Sequence, residues 1–153
     1  MISTTDMTYQ TNIHFIQGII TSMKNVVPLQ ITNSFPKRLE HSVVVDYGVS
    51  IELIGDMKGK LVMTGDVAVF SAIGQSMFGM PLEGEMLDSF IGELGNMIAG
   101  SFSTILVEYG VTTDITTPFV IKEHIVLAEF DKGMQVPLSF QDTGDMDIYL
   151  LLD

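Results

Sequence analysis

The chain is expected to be an α+β protein: an antiparallel sheet with long helices packed on one face, formed by residues 1–153 as a single domain. Three observations predict this. Apolar residues recur every three or four positions in three separate stretches, which marks helices. Valine- and isoleucine-rich runs with partial alternation come in pairs joined by turn residues, which marks hairpins. Strands and helices do not alternate regularly, so a parallel βαβ arrangement is not indicated.

The first helix is expected over residues 11–27. Phe15, Ile19, Met23 and Val26 share a face, Thr11 or Asn12 is placed to cap it, and Pro28 ends it. Residues 33–38, with Pro36, read as a loop. Residues 42–54 read as one extended strand, and the Asp56–Gly59 turn leads into a second at residues 60–64. Asp66 stands at a helix start; Val69, Phe70, Ile73 and Met77 continue at helical spacing until Gly79 and Pro81. After the central helix, Gly110 marks a stop. Short β-like runs follow at residues 114–121, 125–130, 134–140 and 147–152, with Asp131-Lys132-Gly133 as a hairpin turn between the second and third.

The central stretch, residues 88–118, carries the most information. Leu87, Ile91, Leu94, Ile98, Phe102 and Ile105 form an apolar stripe that must face a core. Ser89, Glu93, Asn96, Gly100 and Ser103 lie two residues out of step, about 200° around the helix, and so face away from it. A carboxylate and an amide therefore stand one turn apart on an exposed face. Gly92, Gly95 and Gly100 surround them. Each costs a helix about 1 kcal/mol relative to alanine, which is tolerable where another backbone must come close.

Composition narrows the function. The chain is 46% hydrophobic, enough for a sizeable core. Seven basic residues against 19 acidic ones give a net charge of −12, which disfavours nucleic acid and anionic lipid as partners. There is no cysteine, so disulfides and thiolate chemistry are excluded, and a cytoplasmic setting is consistent. The start of the chain does not read as a signal peptide, and no stretch reads as a membrane span. The histidines, His14, His41 and His124, are scattered without metal-ligand spacing. Asp142, Asp145 and Asp147 cluster near a turn but lack the calcium-loop pattern. No metal site is expected.

Ser89, Glu93 four residues on, Asn96 three further and Pro118 after 21 intervening residues resemble the signature of the CheC/CheX/FliY phosphatases. The surrounding GELGNMIAG is similar to the CheX branch in particular. The likeness is strongest over residues 88–124 and fades back through residues 49–79, about half of the chain. It implies a CheC-like fold and a phosphatase acting on the phosphoaspartate of a CheY-like response regulator. By the resemblance, Asn96 positions the attacking water and Glu93 anchors to the regulator's lysine, although Glu93 is also compatible with a general base or an ordinary surface carboxylate. Ser89 either touches the partner or is a tolerated polar residue. Gly92 and Gly100 either admit the partner's backbone or serve packing within the chain. Pro118 shapes a strand beside the site. The resemblance also implies that no cofactor is bound by this chain, that Mg2+ is held by the regulator, and that the assembly is a homodimer. No glutamate precedes Asn25 by three residues, so one site per chain is expected. The alternative within the superfamily is a non-catalytic module that binds a response regulator, like the flagellar-switch domains.

Overall fold

A computed structural model describes the backbone of residues 4–39 and 41–153, and the side chains from Ile13 onward except at position 40. The helices are α1 (Thr4–Val26), α2 (Val67–Phe78) and α3 (Gly84–Val107). The main sheet contains β1 (Ile31–Asn33), β2 (Lys37–Leu39), β4 (Gly48–Gly55), β5 (Gly59–Gly65), β6 (Thr113–Ile115), β7 (Phe119–Ile121), β9 (Lys132–Phe140) and β10 (Gly144–Leu152). Its order is β1-β9-β10-β5-β4-β6, with β2 also on β9 and β7 also on β4; every pairing is antiparallel. A separate two-stranded sheet joins β3 (Val43–Val45) to β8 (Ile125–Leu127).

The α+β prediction holds, and alternation along the strands shows how the layers form. On β5, Leu61 and Met63 join the core beneath the helices, whereas Val62 between them faces the other way. On β10, Ile148 and Leu150 take the helix side and Leu151 the reverse. The reverse face is covered by the small β3–β8 sheet, whose Val43 and Val45 pack with Val62, Ile121 and Leu151. Sequence reading missed this cover. It merged β3 and β4 into one strand, but the chain breaks at Asp46-Tyr47 to cross from one sheet to the other.

Other boundaries move for similar reasons. The first helix extends back to Thr4, so it does not start at Thr11 or Asn12. The segment expected as a loop at residues 33–38 keeps only Ser34, Phe35 and Pro36 outside strands, because β1 and β2 flank it on β9. The hairpin expected at Asp131-Lys132-Gly133 does not form. Lys132 and Gly133 belong to β9, whose hairpin partner is β10, while β8 pairs far back with β3. The β9–β10 turn instead runs through Asp142, which adopts a left-handed φ of 59°. Asp66 occupies the N-cap of α2 without a side-chain capping bond, and Gly79 closes that helix at φ 75°.

In α3, Leu87, Ile91, Leu94, Ile98 and Phe102 are buried as the stripe requires, but Leu106 replaces Ile105 as its last fully buried member. Contrary to the sequence reading, α3 has the length and the mean hydropathy, 1.3 over its most apolar window, that a span would need. Here that apolar surface lies against the sheet and α1. Contact is tightest at Gly95. A Cβ there would lie 2.8 Å and 3.0 Å from the two methyls of Val49 and 3.3 Å from Ile51 Cδ1. The glycine therefore lets the helix axis settle directly onto β4.

This close approach yields a stability prediction. Gly95→Ala gains about 1 kcal/mol of helix propensity but forces Val49 or the helix to move, an overpacking cost of about 1–3 kcal/mol. Gly95→Ala should lower unfolding free energy in urea by about 1 kcal/mol, with Gly95→Val lowering it further. A more stable Gly95→Ala protein would show that the helix does not depend on this contact.

Candidate functional site

The outward face of α3 is arranged along the helix and against the edge segment beside it. Ser89 and Glu93 are exposed, and Asn96, one turn beyond Glu93, is half-buried. Among the described residues, neither Glu93 nor Asn96 makes a side-chain hydrogen bond or ion pair within the chain. Both side chains therefore keep their hydrogen-bonding capacity for something outside it. The end of this stripe turns inward, however. The Ser103 hydroxyl donates to the Thr113 carbonyl and ties α3 to β6.

The edge segment explains how Pro118 comes into the same neighbourhood. β6 and β7 both pair with β4, at Leu53–Gly55 and at Gly48–Ser50 respectively. Between them the ladder breaks. The Thr116 N–H donates to the Glu52 carbonyl, and Pro118, with no N–H to contribute, sits where the chain leaves β4. It leans on α3. A Cβ built on Gly92 would lie 4.0 Å from Pro118 Cβ and 3.5 Å from Val120 Cγ2. Gly92 thus faces residues of its own chain at ordinary van der Waals distance. Gly100 is different: nothing lies within 4 Å of its would-be Cβ.

Sequence reasoning missed two neighbours of this face. Lys122 Nζ donates to Asp88 Oδ2 at 3.1 Å, one turn before Gly92 on the helix. Val120 of β7 and the two residues flanking that strand, Pro118 and Lys122, all meet α3, so the period of two was the available signal. Tyr47, at the crossing between the two sheets, packs edge-on against Phe70 with ring centroids 5.6 Å apart. Its phenol is held above the ordinary value of 10.0, first by burial and second by the Asp88 carboxylate.

No His, Asp and Glu side chains converge in threes on a metal-sized space among the described residues. Of the acidic cluster near the β9–β10 turn, Asp145 accepts from Ser139 at 2.8 Å and Asp147 from Gln135 at 3.0 Å.

Comparison with known proteins agrees with this architecture. The profile of the family described as "Chemotaxis phosphatase CheX" matches residues 47–138. The "CheY-P phosphatase CheX" of Thermotoga maritima is 30% identical over 117 residues, which is 73% of this chain and 72% of that one. A CheC-like superfamily protein from Shewanella sp. PV-4 superposes with a TM-score of 0.79 at 24% identity, covering 92% of this chain and 97% of the other. The CheX-CheY-BeF3-Mg2+ complex from Borrelia burgdorferi matches with a TM-score of 0.67 at 18% identity, covering 91% and 95%.

The contrast between the glycines is testable by stability alone. Gly100→Ala meets no neighbour, so it should raise unfolding free energy by about 1 kcal/mol, the opposite sign to Gly95→Ala. In the same urea series, Lys122→Ala should cost no more than about 1 kcal/mol, because its ion pair with Asp88 is largely solvated. A destabilised Gly100→Ala protein would mean that the helix is crowded there.

The helix-borne Glu93 and Asn96, the Pro118 segment leaning on Gly92, and the matches to family and fold lead to one conclusion: this chain belongs to the CheX family of chemotaxis phosphatases.

Proposed function

We propose that the chain hydrolyses the phosphoaspartate of a CheY-like response regulator, with Asn96 positioning the attacking water and Glu93 anchoring to the regulator's lysine. The observation that carries this reading is the free, outward-facing Glu93–Asn96 pair, one turn apart on a rigid helix. The names of the Thermotoga relative and of the Borrelia complex support the same substrate class.

The chemistry asks little of the enzyme. Water attacks phosphorus, the bond from phosphorus to the acyl oxygen breaks, and the products are inorganic phosphate and a free aspartate carboxylate. An acyl phosphate already has a good leaving group, and phosphoryl transfer depends mainly on positioning and electrostatics. The Asn96 amide has both a donor and an acceptor, so it can hold a water in line with the breaking bond. The Glu93 carboxylate, one turn away, supplies a charge-assisted bond to an ammonium and thereby fixes the amide relative to phosphorus. Mg2+ belongs to the regulator in this reading, where it neutralises the phosphoryl oxygens. Ser89 and Gly100 extend the contact surface on either side, Gly100 by leaving room for the partner's backbone. Gly92, packed beside Pro118 and Val120, contributes by holding the edge segment close. A homodimer in the cytoplasm completes the proposal.

The decisive experiment is phosphate release from a panel of phosphorylated receiver domains. Asn96→Ala should lower kcat about 100-fold or more, while Glu93→Ala should mainly raise KM. Unimpaired turnover by Asn96→Ala would refute the water-positioning role. Stable binding of a receiver without faster phosphate release would point to a docking module.

Metal removal separates the partners' contributions. EDTA should abolish turnover while leaving the melting temperature of this chain unchanged. A fall in melting temperature would place a structural metal on this chain.

A further inference from the structure

Beside Glu93 lies an apolar groove that the phosphatase chemistry does not use. It forms where the chain turns from α2 into α3. Gly79 ends α2 in the left-handed region, and Leu82 then folds back into the core, so that a Cβ on Gly74 would lie 2.7 Å from Leu82 Cδ1. This reversal leaves Met80 pointing outward. Phe78 stands at the groove's wall and packs edge-on against Phe90, with centroids 5.7 Å apart at 88°. Met86, in the first turn of α3, forms the facing wall. The resulting groove has a volume of about 600 Å3.

Three features indicate what fits it. First, its walls are unusually exposed for apolar residues: Phe78 60%, Met80 50% and Met86 57%. Large apolar side chains grouped on a surface mark a contact site, and methionine adapts to a partner's shape. Second, among the described residues the charged ones that line it are Glu85 and Glu93, and no Lys, Arg or His does so. The groove therefore favours an apolar group flanked by positive charge. Third, Ser89 and Glu93 line the groove and also belong to the α3 face described above. A protein whose lysine meets Glu93 must lie over it.

We propose that this groove is the docking surface for the phosphorylated receiver domain, taking an apolar side chain that is flanked by Lys or Arg next to the phosphoaspartate. The proposal rests on the reading of Glu93 and Asn96 given above. Two polar side chains do not hold a protein by themselves. Even small specific interfaces bury on the order of 1,200 Å2 in total, and their energy concentrates in a few apolar and aromatic anchors. The groove supplies such anchors directly beside the chemistry. Because Phe78 is already braced by Phe90, little side-chain entropy is lost when a partner covers it.

The test uses a receiver domain that the wild-type chain dephosphorylates. Its affinity is measured with the beryllofluoride–Mg2+-loaded form, a stable mimic of the acyl phosphate, and turnover is measured with the phosphorylated form. Met80→Gln/Met86→Gln removes apolar surface while keeping volume and charge. It should raise both Kd and KM about tenfold and leave kcat within about twofold. Glu85→Lys, on the exposed rim, should weaken binding and flatten its salt dependence. Asn96→Ala is run alongside and should lose kcat while Kd stays near wild type. If the double variant binds and turns over with wild-type Kd and KM while Asn96→Ala is inactive, the groove proposal is wrong and the phosphatase reading stands. If Asn96→Ala is as active as wild type, the phosphatase reading falls. If the double variant changes self-association but not receiver affinity, the groove joins copies of this chain and the proposal is overturned.

Discussion

The seating of α3 on β4 through Gly95 is the constraint on which the rest of the molecule depends. With no Cβ at that position, the helix backbone lies against Val49 and Ile51, and the stripe from Leu87 to Leu106 is driven into the core. Once that face is committed, the helix cannot rotate, and the opposite face is presented at a fixed height above the sheet. The edge segment then closes in from the side. Pro118 and Val120 meet Gly92, and Lys122 reaches Asp88. Glu93 and Asn96 gain their positions from this packing rather than from bonds of their own. On the proposed reading, that leaves their polar groups available to a second molecule.

On the proposed reading, the site is minimal because so much of the reaction centre arrives with the substrate. A carboxylate and an amide at a spacing of three residues need only one helix, and a helix is the most rigid element on which to mount them. The acidic surface fits the same logic. With a net charge of −12, encounters with basic surfaces are favoured and those with other polyanions are suppressed.

Much of this was legible in the sequence where local periodicity and tertiary role agree. The stripe in α3, the α2 helix ended by Gly79, and the β4–β5 hairpin each follow from short-range pattern, because the local period alone decides which residues share the face that becomes buried. The Ser89, Glu93, Asn96 and Pro118 pattern was legible through its resemblance to a family signature, since no single helix or strand links Pro118 to the other three. What was not legible depended on partners distant in sequence. β8 pairs with β3 across about half of the chain, and nothing in residues 125–127 announces that choice over a hairpin with β9. Asp131-Lys132-Gly133 has good turn chemistry, yet a nine-residue ladder between β9 and β10 outweighs it. Ile105, whose Cγ2 would lie 3.5 Å from a Cβ on Gly18 of α1, stays only partly buried, and Leu106 closes the stripe instead. The role of Gly95, as against Gly92 and Gly100, was hidden for the same reason. Three glycines in one helix look alike until the surface opposite each is known.

The interrupted edges of the main sheet have a consequence of their own. At one border β1 and β2 share β9 with Pro36 in the gap, and at the other β6 and β7 share β4 with Pro118 in the gap. Each border strand is three residues long, so no long run of unpaired backbone groups is offered at either side. A chain rich in valine, isoleucine and methionine would otherwise be a ready template for stacking into fibres. The proline that leans on the helix therefore also limits the length of any strand that could be added from outside, and this protein can keep a wide, apolar sheet without inviting others to extend it.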